Sequence, residues 1–431
     1  MTAKMAMKAA MAAALALGEG KSGRLRAIIG KDTRISGYML EQAMCAGFVS
    51  MGMDVTLVGP LPTPAVALLT RETGAALGVM ISASHNPYED NGMKFFGPDG
   101  YKLPDEMEAS IEKLMEQNLN DRLVEPEDLG KAVRLDDAHS RYAQALEATY
   151  KGPRLTGMKI VVDCAHGAAY KTAPEALIDL GAQVKTIGAE PDGKNINDGY
   201  GATATQNLQN AVVEFGADVG IALDGDADRL IMVDETGAVI DGDQIMAALA
   251  VSMKNAGSLK GDTVVATVMS NLGLERFLEE QGITLKRAGV GDRYVMEMMR
   301  EGGFNLGGEQ SGHIILSDYA TTGDGLLAAL QMVGILKESG KKASEALKPF
   351  TPLPQILRNV TFDGGKPLEA DEVKTAIARA QNTLAQSGRL LVRASGTQAL
   401  IRVMAEGDNK ARIEEVVSDL CAVIEKVAGN A

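Results

Sequence analysis

Three aspartates at alternate positions carry the strongest chemical signal in this chain. Residues 224–229 read Asp-Gly-Asp-Ala-Asp-Arg, directly after the strand-like run 218–223. Asp224, Asp226 and Asp228 repel one another unless a cation sits among them, and a loop of small residues lets them converge on one. Magnesium accepts such oxygen ligands in near-octahedral geometry and commonly completes its shell with substrate phosphate. A calcium-binding hand would use the same three aspartates and Glu235, but it needs glycine where Arg229 stands, and residues 230–233 continue as a strand. A phosphatase with an Asp nucleophile would leave a second motif idle. That motif is Ser82-Ala83-Ser84-His85-Asn86-Pro87, following the apolar run 77–81. Small residues and a proline that bars helix continuation present Ser84 on a tight turn. A serine hydroxyl is a weak nucleophile until it is activated or phosphorylated, so a plain polar turn is the alternative. Lys94, in Asn91-Gly92-Met93-Lys94-Phe95, is a candidate to reach the same cleft.

Two further loops offer groups suited to a phosphorylated sugar. Residues 307–313 read Gly-Gly-Glu-Gln-Ser-Gly-His. If the loop is extended, Glu309, Ser311 and His313 share one side. Carboxylate and hydroxyl suit sugar hydroxyls, and His313 has an ordinary pKa near neutrality for proton transfer. Arg393-Ala394-Ser395-Gly396-Thr397, with Arg402 beyond it, supplies guanidiniums, hydroxyls and an open backbone. Together these make a phosphate cradle, against the plainer reading of a Ser-Gly hairpin turn.

These loops need a frame that positions them. A length of 431 residues suggests about three domains, within two to four. Aromatics are only 4% and Trp is absent, so the cores must be built from Ala, Val, Leu, Ile and Met. Strand, glycine-bearing loop and amphipathic helix recur three times. The first series is 26–30, 39–51 and 55–58; the second 159–163, 173–180 and 183–187; the third 263–267 and 274–281. Alternation of this kind predicts mainly parallel sheets covered on both faces. The tail instead shows a helix over 371–386, strands over 390–393 and 400–404, and a last helix over 408–427, an α+β pattern. The expected fold is therefore three related α/β domains with mixed, mainly parallel sheets plus a smaller C-terminal α+β domain around a central cleft. The expected bounds are 1–133, 134–241, 242–352 and 353–431. Ligands of open α/β sheets bind beyond the carboxyl ends of strands, where each of these loops falls.

The net charge of −14 argues against nucleic acid and anionic membrane as partners. Lys4, Lys8 and the apolar run 9–17 imitate a signal peptide, but the run is Ala-dominated, lacks a convincing cleavage site and is too short to span a membrane. An ordinary helix and a cytoplasmic protein are expected. Cys45, Cys164 and Cys421 have no paired spacing and are expected as buried, reduced thiols.

The four loops, in this order, resemble the α-phosphohexomutase family, from Lys31-Asp32-Thr33-Arg34 to the tail. Ile81 to Pro87, Ala227, Gly291-Asp292-Arg293-Tyr294-Val295 and Gln310 look like the branch acting on glucosamine phosphates. Relatives acting on mannose and glucose phosphates usually carry Gly and Met in place of Ala227 and Gln310. The resemblance implies a phosphorylated Ser84 which, with Asp224, Asp226 and Asp228, holds one magnesium ion. It implies Lys94, Arg229 and His313 as catalytic groups. It further implies that Arg34, His85, Glu309, Ser311, Arg393, Ser395, Gly396, Thr397 and Arg402 bind substrate. The implied reaction converts glucosamine 6-phosphate to glucosamine 1-phosphate, with glucosamine or glucose 1,6-bisphosphate as activator, and a homodimer is left open. Mutase activity on mannose or glucose phosphates is the nearest alternative, and a catalytically idle sugar-phosphate binder the more distant one. Two departures accompany the likeness. Gln398-Ala399 replace a usual Glu-Pro, and no Gly-Ile-Arg-Gly-like segment precedes Met1-Thr2-Ala3-Lys4. The second departure implies a missing strand and a missing active-site arginine.

Overall fold

The computed structural model describes residues 1–18, 23–362, 364–394 and 399–429, apart from the side chain of Gln386. Ser395, Gly396 and Thr397 lie outside the described residues. The chain divides into two compact units, Met1–Met269 with Leu285–Pro349, and Ser270–Thr284 with Phe350–Ala431.

The central parallel strands are apolar runs buried on both faces, as covered parallel sheets require, while edge strands are more polar and exposed. The first sheet comprises β1 (Arg26–Lys31), β2 (Asp54–Pro60), β3 (Leu77–Ile81), β4 (Met93–Phe96) and β5 (Ala132–Arg134), in the order β4-β3-β1-β2-β5. Strands β3, β1, β2 and β5 are parallel, and β4 runs antiparallel to β3. The second sheet comprises β6 (Lys159–Asp163), β7 (Gln183–Ile187), β8 (Val219–Leu223), β9 (Leu230–Asp234) and β10 (Val239–Ile240), in the order β10-β9-β8-β6-β7. There β7, β6 and β8 are parallel, and β9 turns back against β8. The third sheet takes β11 (Thr263–Thr267), β12 (Thr284–Ala288), β13 (Leu306–Gly308) and β14 (Ile314–Leu316), in the order β12-β11-β13-β14. Again β11 and β13 are parallel and β14 is antiparallel to β13. All three sheets thus share one device, a parallel strand followed in the chain by an antiparallel neighbour, with β10 extending the second sheet beyond β9. The mixed, mainly parallel α/β sheets expected of the first three domains are what form.

The tail makes β15 (Gln355–Thr361), β16 (Gly388–Ala394) and β17 (Leu400–Gly407), a fully antiparallel sheet in the order β15-β17-β16. Helices Asp371–Leu384 and Lys410–Val427 cover it through Val373, Ile401, Val403, Val417 and Ile424, all buried. Asn409 caps the last helix by accepting from the Arg412 amide at 3.1 Å, a contact worth about 1 kcal/mol.

The Ala-rich start forms the helix Ala3–Gly18, packed against Ile35–Ser50. Its small side chains are functional in packing. A methyl group added at Gly47 would lie 2.5 Å from the Met7 carbonyl oxygen, so the two helices approach closely only because both faces are small. Cys45, Cys164 and Cys421 are buried and form no disulfide, as expected. No helix among the described residues is long and apolar enough to cross a membrane.

Candidate active site

The three chemical loops of the first unit occupy equivalent positions in the three sheets. Each leaves the carboxyl end of a parallel strand and returns along the antiparallel neighbour: β3 to β4 carries Ser84, β8 to β9 carries the aspartates, and β13 to β14 carries Glu309 to His313. Each also contains a left-handed residue, Ser84 (φ 51°), Ala227 (φ 58°) and Gly312 (φ 94°). For the two non-glycine residues this conformation costs roughly 1–2 kcal/mol, the kind of strain that collects at functional loops.

Ser84 is held by its backbone. Its N–H donates to Ser82 Oγ at 2.9 Å, and Ser82 Oγ–H donates to Asp32 Oδ2 at 2.7 Å. Arg34 is fully buried, with Nε donating to Asp32 Oδ2 at 2.8 Å. Its Nη1 donates to the carbonyls of Pro87 and Asp90, and its Nη2 to those of Ser84 (2.9 Å) and Asn86 (2.8 Å). Both terminal guanidinium nitrogens are therefore spent on the serine loop, and Nε on Asp32. Arg34, expected among the substrate-binding residues, thus braces the serine loop from within. From the second sheet's domain, Asn197 Nδ2 donates to the same carbonyls of Ser84 (2.9 Å) and Asn86 (3.1 Å). Ser84 Oγ donates to Asp224 Oδ2 at 2.6 Å, and His85 Nδ1 lies 3.4 Å away. Burial and the nearby Arg229 charge lower the His85 pKa, against the raising pull of Asp228 and Asp226, which favours a neutral imidazole.

The three aspartates do converge. One oxygen of each lies within 4.8 Å of the others, and all three residues are buried. Lys94 Nζ donates to Asp226 Oδ2 at 2.6 Å and to Asp228 Oδ2 at 2.9 Å. Thr63, opening the helix Thr63–Glu72, donates its hydroxyl to the same Asp226 oxygen. The outer oxygens are thus braced, while Asp226 Oδ1 and Asp228 Oδ1 are buried with no hydrogen-bond partner. Burial, followed by repulsion from Asp228 and Asp226, pushes the Asp224 carboxyl up to about 8. Braced, oxygen-only, mutually repelling and partly orphaned carboxylates fit a hard divalent cation. Lys94 stays protonated, because the pull of Asp226 and Asp228 outweighs its burial. Arg229 donates its backbone N–H to Asp224 Oδ1 at 3.2 Å, and its side-chain Nε is buried without a partner.

The third loop departs from its expected shape. Gly312 N–H donates to the Glu309 carbonyl at 2.9 Å and Glu309 N–H to the His313 carbonyl at 3.0 Å, closing a tight turn. Consequently Glu309, Ser311 and His313 do not share an extended face. Ser311 is exposed and Glu309 half-buried, whereas His313 is only 3% exposed. Its Nδ1 lies 3.7 Å from Asp228 Oδ1, and its Nε2 lies 3.4 Å from Asp292 Oδ2 and accepts from the Gly323 N–H at 3.2 Å. Both nitrogens thus face protein groups, with Nδ1 too far from Asp228 for a hydrogen bond. Burial lowers its pKa, and the two aspartates outweigh burial to leave it raised. Glu309 Oε1 accepts from the Gly291 N–H at 3.2 Å.

In the second unit, Arg393 and Arg402 face each other across β16 and β17. Like charges directly opposed on neighbouring strands destabilise a sheet. Arg393 Nε is buried without a hydrogen-bond partner, and burial followed by Arg402 lowers its pKa. An anion would relieve the pair. Thr63, Asn197 and Asp292 were not foreseen as site residues. Thr63 sits in Pro62-Thr63-Pro64 and Asn197 in Asn195-Ile196-Asn197-Asp198-Gly199, both ordinary turn or helix-start sequences. Only Asp292 carried a signal, since it follows Gly291 at a helix start.

Four consecutive segments match one family, described as Phosphoglucomutase/phosphomannomutase. They are alpha/beta/alpha domain I over residues 1–122, domain II over 140–237, domain III over 241–353 and the C-terminal domain over 357–423. Phosphoglucosamine mutase of Phenylobacterium zucineum is 57% identical over 429 residues, 99% of this chain and 95% of the relative. That of Novosphingobium aromaticivorans is 58% identical over 429 residues, 99% and 96% respectively. A phosphoglucomutase/phosphomannomutase family protein from Burkholderia thailandensis shares the fold, with a TM-score of 0.84 at 22% identity, covering 100% of this chain and 95% of that one. N-acetylphosphoglucosamine mutase of Aspergillus fumigatus, solved with GlcNAc-6P and magnesium, has a TM-score of 0.65 at 22% identity, covering 85% and 92%.

Proposed function

The chain belongs to the phosphoglucomutase/phosphomannomutase family, and from that membership we propose that it is an isomerase interconverting glucosamine 6-phosphate and glucosamine 1-phosphate. Support comes from phosphoglucosamine mutases more than half identical over nearly the whole chain. The observation that carries the chemistry is Ser84 Oγ at 2.6 Å from Asp224, inside a converging carboxylate triad.

In this reading Ser84 is phosphorylated at rest. The C1 hydroxyl oxygen of glucosamine 6-phosphate bonds to phosphorus as the Ser84 Oγ–P bond breaks. The sugar's hydroxyl proton passes to a neighbouring base, for which neutral, half-exposed His85 is the candidate, and Ser84 Oγ, 3.4 Å from His85 Nδ1, takes up a proton as it leaves. The 1,6-bisphosphate turns round, its C6 phosphoryl group returns to Ser84, and glucosamine 1-phosphate leaves. Asp224, Asp226, Asp228 and a phosphoserine oxygen hold magnesium, which when bound neutralises charge on the transferring phosphoryl group. Lys94 and Arg229 add fixed positive charge, and positioning with electrostatics is most of what phosphoryl transfer asks of a protein. Glu309 and Ser311 hold the C3 and C4 hydroxyls in either orientation. Arg393, Ser395, Gly396, Thr397 and Arg402 grip the phosphate that is not reacting. A hexose 1,6-bisphosphate serves as activator by recharging Ser84, and the soluble substrates suit a cytoplasmic enzyme.

The test is a coupled assay of the purified chain with magnesium and glucose 1,6-bisphosphate. Glucosamine 6-phosphate is expected to show a higher kcat/KM than glucose or mannose 6-phosphate. A preference for either of the latter contradicts the reading.

A further inference from the structure

Resting on that reading of Ser84, we propose that Asn197 is a positioning residue that sets the phosphoryl-carrying serine in register with the carboxylate loop. The serine loop is already folded by its own domain. Arg34 Nη2 donates to the carbonyls of Ser84 and Asn86, and Asp32 and Ser82 secure the backbone from behind. Asn197 adds nothing to that internal scaffold. It comes from the loop after β7 in the second domain, and its amide donates to those same two oxygens, taking the second lone pair of each.

The domain that supplies Asn197 also supplies the aspartates. Asn197 N–H donates to the Ala165 carbonyl at 2.9 Å, fixing its own backbone just beyond β6. A methyl group built on Gly225, between Asp224 and Asp226, would lie 2.6 Å from the Ser84 carbonyl and 2.8 Å from Asn197 Nδ2. Serine loop, metal loop and Asn197 amide therefore meet at one point. Ser84 Oγ and Asp224 Oδ2, 2.6 Å apart, are joined through this contact.

The residue type is constrained twice. Asn197 has φ of 60°, a left-handed conformation that asparagine tolerates better than most side chains. Its amide must also point nitrogen first, because the opposite flip would set Oδ1 against two carbonyl oxygens. Aspartate keeps the size and the backbone tolerance but replaces the donor with an acceptor. Glycine keeps the backbone and removes the group.

The experiment compares Asn197→Asp and Asn197→Gly with the wild-type chain, each charged on Ser84 with glucose 1,6-bisphosphate and magnesium. Intact-protein mass then follows discharge of phosphoserine to glucosamine 6-phosphate in a single turnover. The discharge rate and kcat are expected to fall about tenfold or more, as displacement of reacting groups by about 1 Å does. The charged fraction and KM are expected to stay within about twofold of wild type. A role confined to folding would lower Tm and the charged fraction while the surviving enzyme discharged at the wild-type rate, and that result overturns the proposal. So does an unchanged rate in both variants. If Asn197→Asp fails to fold, Asn197→Gly decides on the same readouts. A wild-type chain that takes up no phosphate on Ser84 overturns the functional reading and this inference together, whereas a normal wild type beside unaltered variants overturns the inference alone.

Discussion

Asp224 is the residue in which charge, burial and ligand chemistry meet. Burial and two neighbouring carboxylates raise its pKa to about 8, far above the ordinary aspartate value. A carboxyl whose folded pKa exceeds its unfolded one binds its proton more tightly when folded. Its stabilising contribution is full at low pH and is lost as pH rises from about 4 to about 8. A divalent cation reverses this cost and must displace the proton to bind, so its effect grows with pH. Thermal unfolding with and without magnesium checks this. The metal-induced rise in Tm is expected to be larger at pH 8 than at pH 6, by about 1 °C per kcal/mol of linkage for a chain of this length. Equal shifts at both pH values would show that Asp224 is not a ligand. At this scale the motif residues were legible in the sequence, because alternate aspartates and a serine before His-Asn-Pro have few other uses. The burial of Arg34 was not legible, because an arginine beside a motif looks the same in sequence whether it faces a ligand or the backbone. Asn197 and Thr63 were invisible, since their partners lie 113 and 163 residues away.

At the scale of elements, one device recurs. A parallel strand ends, a strained loop presents chemistry, and an antiparallel strand returns. The central parallel strands were legible as apolar runs and the half-exposed β7 by its place after a helix, and β3, β6, β7 and β11 begin and end where the sequence pattern does. The exposed edge strand β5 and the glycine-containing β13 were not, because neither has the apolar length that marks a buried strand. The turn at Glu309–Gly312 was misjudged as extended for a related reason: a glycine at φ 94° lets the chain reverse where alternation suggested it continued. Gly225 tests the contact between two such loops. Gly225→Ala sets a methyl group against the backbone oxygen of Ser84, which has no room to yield. Overpacking of this kind costs about 1–3 kcal/mol, and it separates Ser84 from Asp224. A fall in kcat of about tenfold or more is expected, with a lower Tm. A variant with wild-type kcat would show that the loops tolerate relative displacement.

At the scale of the whole molecule, the two compact units carry different parts of the work. The first holds the Ser84 loop, the carboxylate loop and the Glu309–His313 loop, and the second holds an opposed arginine pair suited to an anion. Arg393→Ala should therefore act mainly on binding. Loss of a charge-assisted contact of about 1.5–3 kcal/mol raises KM for glucosamine 6-phosphate roughly ten- to hundredfold, with a smaller change in kcat. An unchanged KM would place the phosphate grip elsewhere. Fold class was readable because helix and strand periods alternate through three stretches and then change character in the tail. The joining of distant loops was not, because it depends on close approaches at Gly225 and Gly312 that no local pattern encodes. Every step proposed for the reaction requires Ser84 to carry the phosphoryl group. The most direct measurement is intact mass with site mapping after exposure to glucose 1,6-bisphosphate and magnesium, then again after glucosamine 6-phosphate is added. One phosphoryl group on Ser84, discharged by glucosamine 6-phosphate and absent from Ser84→Ala, is the predicted result. A chain that turns over glucosamine 6-phosphate with Ser84 never phosphorylated, or equally well as Ser84→Ala, would contradict it.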